Sequence, residues 1–390
     1  MPRLTIGRLF GIPIRLDITF LLVLPLLAWL IGSEVGQWVE IIAALGVDLS
    51  AASLQAGPTP WILGTIAAIG LFAGVVVHEL GHSLVAMHFG YPIESITLWI
   101  FGGIAKLDEM PEHWSQELAV AIAGPIVSLA LAALAFLGLA AVPVSGTITA
   151  AIAFVLGYLA LMNVALAVFN MLPGFPMDGG RVLRAILARN RPYARATQIA
   201  ARVGKLFAIL LGLAGLFVLG NLFMVAIAFF IYLGASGEAQ MTIMKAAFEG
   251  VTVRDVMTPA DRIATVGPDA TVADLVDRMF RERHTGYPVV ESGRVLGIVT
   301  LDDARAVREV EREAYTVSDV MTTDLETIQP DEDAMSALTR LQDRHVGRLL
   351  VYEDDTFRGL ITRSDLMTAF DVIQSSGWTS PEGPLAGQRP

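Results

Sequence analysis

The sequence predicts an α-helical polytopic membrane domain of six transmembrane helices followed by an α/β tandem-repeat module, and three observations carry that fold class. Of 390 residues, 54% are hydrophobic and only 17% charged, with a mean hydropathy of +0.60, which is too apolar for an ordinary soluble chain. The charge is uneven. Residues 1–245 hold 12 basic and 12 acidic side chains, residues 246–390 hold 15 and 26, so the net charge of −11 belongs to the C-terminal part. That part also repeats itself at a fixed offset. An acidic tail disfavours bulk binding to nucleic acid or to anionic lipid surfaces. With no cysteine in the chain, disulfides and thiolate metal sites are excluded. Arg15 and Asp17 abut the first apolar run, a pattern unlike a cleaved signal peptide.

Apolar stretches fall at 18–32, 61–89, 118–142, 148–172, 203–220 and 221–235. A helix needs about 20 residues to cross a bilayer, so the second to fourth are long enough and the first is short. The last two form one apolar run interrupted by Gly220-Asn221, consistent with either one long helix or a hairpin of two. Basic residues decide between them. Three precede the first span, then come none, one (Lys106), none, seven from Arg181 to Lys205, none, and many after the last. This alternation fits six crossings with both termini cytoplasmic, and places the protein in the cell membrane as a multi-pass protein embedded in the lipid bilayer.

Residues 246–373 change register to short β-type runs alternating with helical patterns at ordinary charge density. "VTVRDVMTPADRIATV" is echoed by "YTVSDVMTTDLETIQ", and "GIVTLDDARAV" by "GLITRSDLMTA". An offset of 61 to 64 residues predicts two α/β units, about 251–310 and 315–373. The Ser-, Gly- and Pro-rich stretch 374–390 is expected to be disordered.

The second span contains "VVVHELGHSLVA", residues 75–86. Ionisable groups are expensive in hydrocarbon and mark function there by default. On a helix, residues four apart share a face, so His78 and His82 can reach one metal ion with Glu79 beside them. Neutral imidazoles suit zinc, and Glu79 is then the general base that takes a proton from the attacking water and passes it to the leaving amine. A third ligand must come from the same depth. His78 follows Trp61 by 17 residues, past the middle of an inward-running span. The fourth span also runs inward and ends in "FNMLPGFPMDGGR", where Pro173 and Pro176 break the helix and Asp178 follows. Asp178 is therefore the expected third ligand. His88 points about a right angle away from the His78/His82 face, and Glu112, His113 and Glu117 read as a polar loop facing water.

H-E-L-G-H in a membrane helix, with N-x-x-P-x-x-P-x-D-G-G after a later one, resembles the site-2 protease family of intramembrane zinc metallopeptidases, in its compact branch without a PDZ domain. The resemblance covers residues 1–245. It implies a six-helix membrane domain and one zinc ion per chain held by His78, His82 and Asp178. Glu79 would be catalytic, and Asn170 would hold the substrate carbonyl or oxyanion. The "FGG" (101–103) and "AGP" (123–125) runs also resemble family motifs, although Ser128 stands where many members carry Asn, and the sequence assigns it no role. A helical substrate hides its peptide bonds. The β-branched and aromatic segment 96–107 either offers an exposed strand edge to hold the substrate extended or plugs the helix bundle.

The paired repeats resemble tandem cystathionine-β-synthase (CBS) domains. Each ends in a Gly-x-x-Thr-x-x-Asp pattern, Gly297 to Asp303 and Gly359 to Asp365. The resemblance implies adenine nucleotide binding, with Asp303 and Asp365 on ribose hydroxyls and Thr300 and Thr362 on phosphate, or a homodimerisation module without ligand. The function expected of the whole chain is hydrolysis of peptide bonds in or near transmembrane segments of membrane-protein substrates, tuned by nucleotide. Two alternatives stand beside it. A transporter or channel gated by the CBS pair would favour pathway residues in symmetric halves, whereas the polar groups here make one metal site. An inactive scaffold is disfavoured by the intact Glu79.

Overall fold

The computed structural model describes residues 3–47, 49, 51–99, 102–107 and 113–376. The chain divides into two units, Met1–Gln240 and Met241–Pro390, each described by itself.

The first unit opens with a hairpin that the sequence reading passed over, β1 (Arg3–Leu9) and β2 (Ile12–Asp17). Phe10 and Gly11 turn it, both at positive φ, the conformation that two-residue hairpin loops need. Helices α1 (Phe20–Ser33) and α2 (Val35–Ala43) follow, bent by 66° at Glu34, then the single turn α3 (Ala51–Leu54). The long α4 (Thr59–His88) leads to strands β3 (Ile93–Trp99) and β4 (Gly102–Leu107). Then come α5 (Trp114–Ala141), α6 (Thr147–Asn170), α7 (Asp178–Ala188), α8 (Tyr193–Leu213) and α9 (Leu222–Ala247). A π-helical turn, Ala214–Val218, extends α8.

Five of the described helices are long and apolar enough to cross a membrane, or six spans if α1 and α2 count as one bent span. The final apolar run is a hairpin, broken where Gly220 takes a positive φ and the Asn221 side chain caps the amides of Phe223 and Met224. Two spans exceed their expected limits. Helix α8 starts ten residues earlier because Ala196, Thr197, Ala200 and Ala201 make a buried face on an otherwise basic turn. Helix α9 continues to Ala247 through a polar stretch that includes Glu238.

Helix α4 lies against α1, α5 and α6, and α5 also packs on α6 and α7. Alanine dominates the buried faces: Ala67, Ala68 and Ala86 on α4, Ala121, Ala132 and Ala135 on α5, Ala150, Ala153 and Ala160 on α6. Small residues let apolar helices approach closely where lipid offers no hydrophobic drive between them. The sheet runs in the order β1-β2-β3-β4, with β2 and β3 parallel and the other pairs antiparallel. The described residues of segment 96–107 are thus antiparallel strands of this sheet, 96–99 in β3 and 102–107 in β4, and β4 is last in the strand order.

The second unit holds the two repeats. The first comprises α10 (Val253–Val256), β5 (Thr258–Pro259), α11 (Val272–Glu282), β6 (Gly286–Glu291), β7 (Arg294–Thr300) and α12 (Leu301–Ala306). The second comprises α13 (Val317–Val320), β8 (Thr327–Ile328), α14 (Ala334–Asp343), β9 (Arg348–Glu353), β10 (Thr356–Thr362) and α15 (Arg363–Ser376).

In space the opening segments are exchanged. Val253 is buried with Ile328, Leu338 and Leu366, and β5 pairs with β10. Val317 is buried with Val272, Leu275 and Tyr287 of the first repeat. Each core is therefore completed by a segment that sequence similarity assigns to the other repeat. Residues 374–376, expected to be disordered, close α15, and 377–390 lie outside the described residues.

Candidate metal centre and active site

Helix α4 carries His78 and His82 one turn apart, with their Nε2 atoms 3.2 Å from each other. Asp178, the first residue of α7, brings Oδ2 to 3.2 Å from His78 Nε2 and 3.1 Å from His82 Nε2. All three side chains are buried. Among the described residues they are the one group of three His, Asp or Glu whose ligand atoms lie within 4.8 Å of one another.

Local sequence explains how Asp178 arrives. Helix α6 stops at Asn170, and the turn 171–177, carrying Pro173 and Pro176, closes with bonds from Gly174 N to Leu172 O and from Met177 N to Gly174 O. Gly179 and Gly180 let the start of α7 sit directly on that turn. A Cβ on Gly179 would lie 2.3 Å from Leu172 O, and one on Gly180 would lie 2.4 Å from Phe175 N. The two glycines after the aspartate are thus required by close backbone approach.

Helix α5 backs the histidines. Glu117, Val120, Gly124 and Ser128 follow at spacings of three, four and four, which puts them on one helix face. His82 Nδ1 lies 2.7 Å from the Val120 carbonyl. A carbonyl only accepts, so Nδ1 carries the proton and Nε2 presents its lone pair towards Asp178. His78 Nδ1 lies 2.8 Å from Ser128 Oγ, which can accept in the same way. Gly124 leaves room for the ring, since a Cβ there would lie 2.2 Å from His82 Nε2. Ser128, given no role from sequence, thus orients an imidazole. Glu117, expected to face water, is buried and paired with Arg184 of α7. Glu117, Gly124 and Ser128, polar or small residues spaced seven and four apart in an apolar helix, were the only signal of this face in the sequence.

The donor set fits zinc. Ligand atoms at about 2.0–2.1 Å in a tetrahedron are about 3.3 Å from each other, and the three observed separations are 3.1–3.2 Å. Metal-ligating imidazoles usually donate their other ring N–H to a nearby oxygen, as His82 Nδ1 does to Val120 O and His78 Nδ1 can to Ser128 Oγ.

Glu79 is half-buried between this cluster and the sheet edge: a Cβ on Gly103 of β4 would lie 2.7 Å from Glu79 Cγ. Asn170, half-buried at the end of α6, stands seven residues after Asn163 and so shares its helix face. Asn163 packs against Gly74 of α4, one turn before His78. His88 is exposed at the end of α4, while Phe101 and Glu112 lie outside the described residues.

In the second unit, Thr300 and Asp303 meet in a capping box at the start of α12. Thr300 donates N–H and Oγ1–H to Asp303 Oδ2, both at 2.7 Å. Thr362 and Asp365 do the same at α15, at 2.8 and 2.7 Å. The four residues singled out for nucleotide thus have a demonstrable structural role as caps. Arg348 of the second repeat reaches the first. Its Nη1 occupies the space a side chain on Gly286 would take, and burial pushes its guanidinium pKa down, opposed by the nearby charge of Asp303.

A sequence model of peptidase family M50 matches residues 66–153 and 138–211, and one of the CBS domain matches 253–309 and 317–372. The chain is similar to zinc metalloprotease MJ0392 of Methanocaldococcus jannaschii, 32% identical over 94% of this chain and 96% of that protein. It is also similar to putative zinc metalloprotease Rip3 of Mycobacterium tuberculosis, 32% identical over 95% of this chain and 93% of that one. Among solved structures, the site-2 protease from Methanocaldococcus jannaschii is 33% identical, covering 61% of this chain and 95% of that one, with a TM-score of 0.42. The chain belongs to peptidase family M50, the site-2 protease family of membrane metalloproteases, and carries a tandem pair of CBS domains.

Proposed function

We propose that this chain hydrolyses peptide bonds in or near transmembrane segments of membrane proteins, with His78, His82 and Asp178 holding one zinc ion and Glu79 as general base. The observation that carries the reading is the convergence of three buried ligand atoms beside a glutamate inside a membrane-length helix. When bound, zinc would supply Lewis-acid polarisation of the scissile carbonyl. Glu79 takes the proton of the attacking water and delivers it to the leaving amine. The Asn170 amide donates to the carbonyl oxygen as charge develops there. The substrate, unwound, adds as a strand beside β4, the last strand in the sheet order, where Gly103 leaves Glu79 unobstructed.

The protein sits in the cell membrane with both termini cytoplasmic, as the distribution of Lys and Arg supports. The CBS pair forms a homodimer and senses an adenine nucleotide. Asp303 and Asp365 keep one carboxylate oxygen outside the caps for ribose, and Arg348 beside Asp303 adds a cationic donor for phosphate to those of Thr300 and Thr362.

The test is co-expression with tagged single-span membrane proteins. Wild type should cleave at least one of them, and Glu79→Gln should retain zinc while losing cleavage by a factor of roughly 10²–10⁴. Cleavage by Glu79→Gln at the wild-type rate would refute the assignment.

A further inference from the structure

Resting on the metal-site reading above, we propose that Arg184 and Glu117 are positioning residues of the metal centre, an ion pair that locks the helix bearing Asp178 to the helix that orients both histidines. Each is only 1% exposed, although both are charged. Arg184 is the largest fully buried side chain among the described residues. Its Nε lies 2.6 Å and its Nη2 2.5 Å from the same oxygen, Glu117 Oε1. Nη1 donates to Glu238 Oε1 of α9 at 2.6 Å. The guanidinium is sandwiched between the rings of Phe175 and Tyr193, each centroid 4.8 Å away. Four neighbouring segments therefore hold one side chain: α5, the turn before α7, the start of α8, and α9.

What this grip controls follows from the two helices it joins. Glu117 occupies the α5 face that continues through Val120, Gly124 and Ser128, the groups against His82 and His78. Arg184 lies six residues after Asp178, about 9 Å further along α7. The start of α7 is seated on the turn 171–177 by Gly179 and Gly180, so the ion pair is its second fixed point. Two fixed points define an axis, and with it the place of the Asp178 carboxylate relative to the imidazoles. A buried ion pair contributes little net stability compared with apolar packing. Its role here is geometric: two guanidinium nitrogens converge on the one oxygen Glu117 Oε1, which fixes the separation of α5 and α7 at that point.

The test measures zinc affinity of the full-length chain in lipid nanodiscs, by competition with a chromophoric chelator at pH 7.5, alongside the melting temperature of each metal-free variant. The neutral pair Glu117→Gln/Arg184→Gln removes both charges together and should bind zinc about tenfold more weakly, the low end of what losing a direct partner of a ligating side chain costs. Arg184→Lys, which keeps a cation near Glu117, should recover part of that loss. Tyr158→Phe, which alters a buried residue of the α2–α4–α6 core, should leave affinity unchanged. If the neutral pair does not fold, Glu117→Asp carries the test, since it keeps both charges but shortens the contact by one methylene. Weakened zinc binding at an unchanged melting temperature supports the inference. Wild-type affinity in a folded neutral pair, or in Glu117→Asp, overturns it while leaving the metal site standing. A wild-type chain that binds no zinc removes the metal-site reading itself, and the inference with it.

Discussion

The two units use polar residues in opposite ways. In the membrane unit a buried polar side chain is rare, and several around the centre are paired: His78, His82, Ser128 and Asp178 with one another and with Val120, and Glu117 Oε1 with Arg184. In the CBS unit polar residues are abundant, and the same Thr-x-x-Asp pattern caps α10, α11, α12, α13 and α15 whether or not it is placed to meet a ligand. A polar group in an apolar helix is costly enough that its presence is informative. A polar group at the start of a soluble helix is cheap, so its presence says little beyond the cap.

This contrast sets an order of effects. Among variants that leave the ligands and Glu79 in place, the largest belongs to Gly124→Ala, which puts a methyl group where His82 sits. Zinc affinity should fall by roughly a hundredfold or more, measured by chelator competition; near-wild-type affinity would show that the ring has room to move. Next is Gly103→Val on β4. Its side chain would crowd Glu79, so cleavage should drop about tenfold to a hundredfold with zinc content unchanged, because a misplaced general base forfeits part of its contribution. Loss of zinc in that variant would blur the separation between base and ligands.

Smaller effects are expected in the tail. Asp303→Ala removes the acceptor of two cap bonds and should cost about 1 kcal/mol of stability, a shift of a few degrees in the melting of the CBS transition. The same variant should weaken any stabilisation of that transition by millimolar AMP, ADP or ATP. Absence of a nucleotide effect in the wild type would leave the pair as a dimerisation module. The smallest effect is on pH. The hydrogen bond from Arg254 holds Glu353 below its ordinary value of 4.5, and the Thr316 side chain does the same for Asp319 below 3.8. A depressed folded-state pKa stabilises above the unfolded value and loses that contribution as pH falls. Melting of the CBS transition should therefore drop as pH is taken below about 4.5, and Arg254→Gln should flatten that drop.

The same contrast explains what the sequence disclosed. Hydropathy and the basic clusters located the spans, because length and charge are direct consequences of the bilayer. His78, His82 and Asp178 were legible because helix periodicity and depth bring them together. The backing face of α5 was not, since Val120 acts through its carbonyl, Gly124 through absence of a side chain, and Glu117 through a partner 67 residues away. The hairpin of β1 and β2 was also missed: its strands are short, and their sheet is completed only by β3 and β4. In the tail, similarity revealed two repeats but not the exchange of their opening segments, because self-similarity records ancestry of segments and not which core each one enters.

Zinc content of purified protein decides whether one ion is held by three side chains from two separate helices. Metal analysis of the wild type should give about one zinc per chain, and Asp178→Ala, which leaves both histidines in place, should lose it. Full zinc occupancy in Asp178→Ala, with the protein folded, would contradict the account.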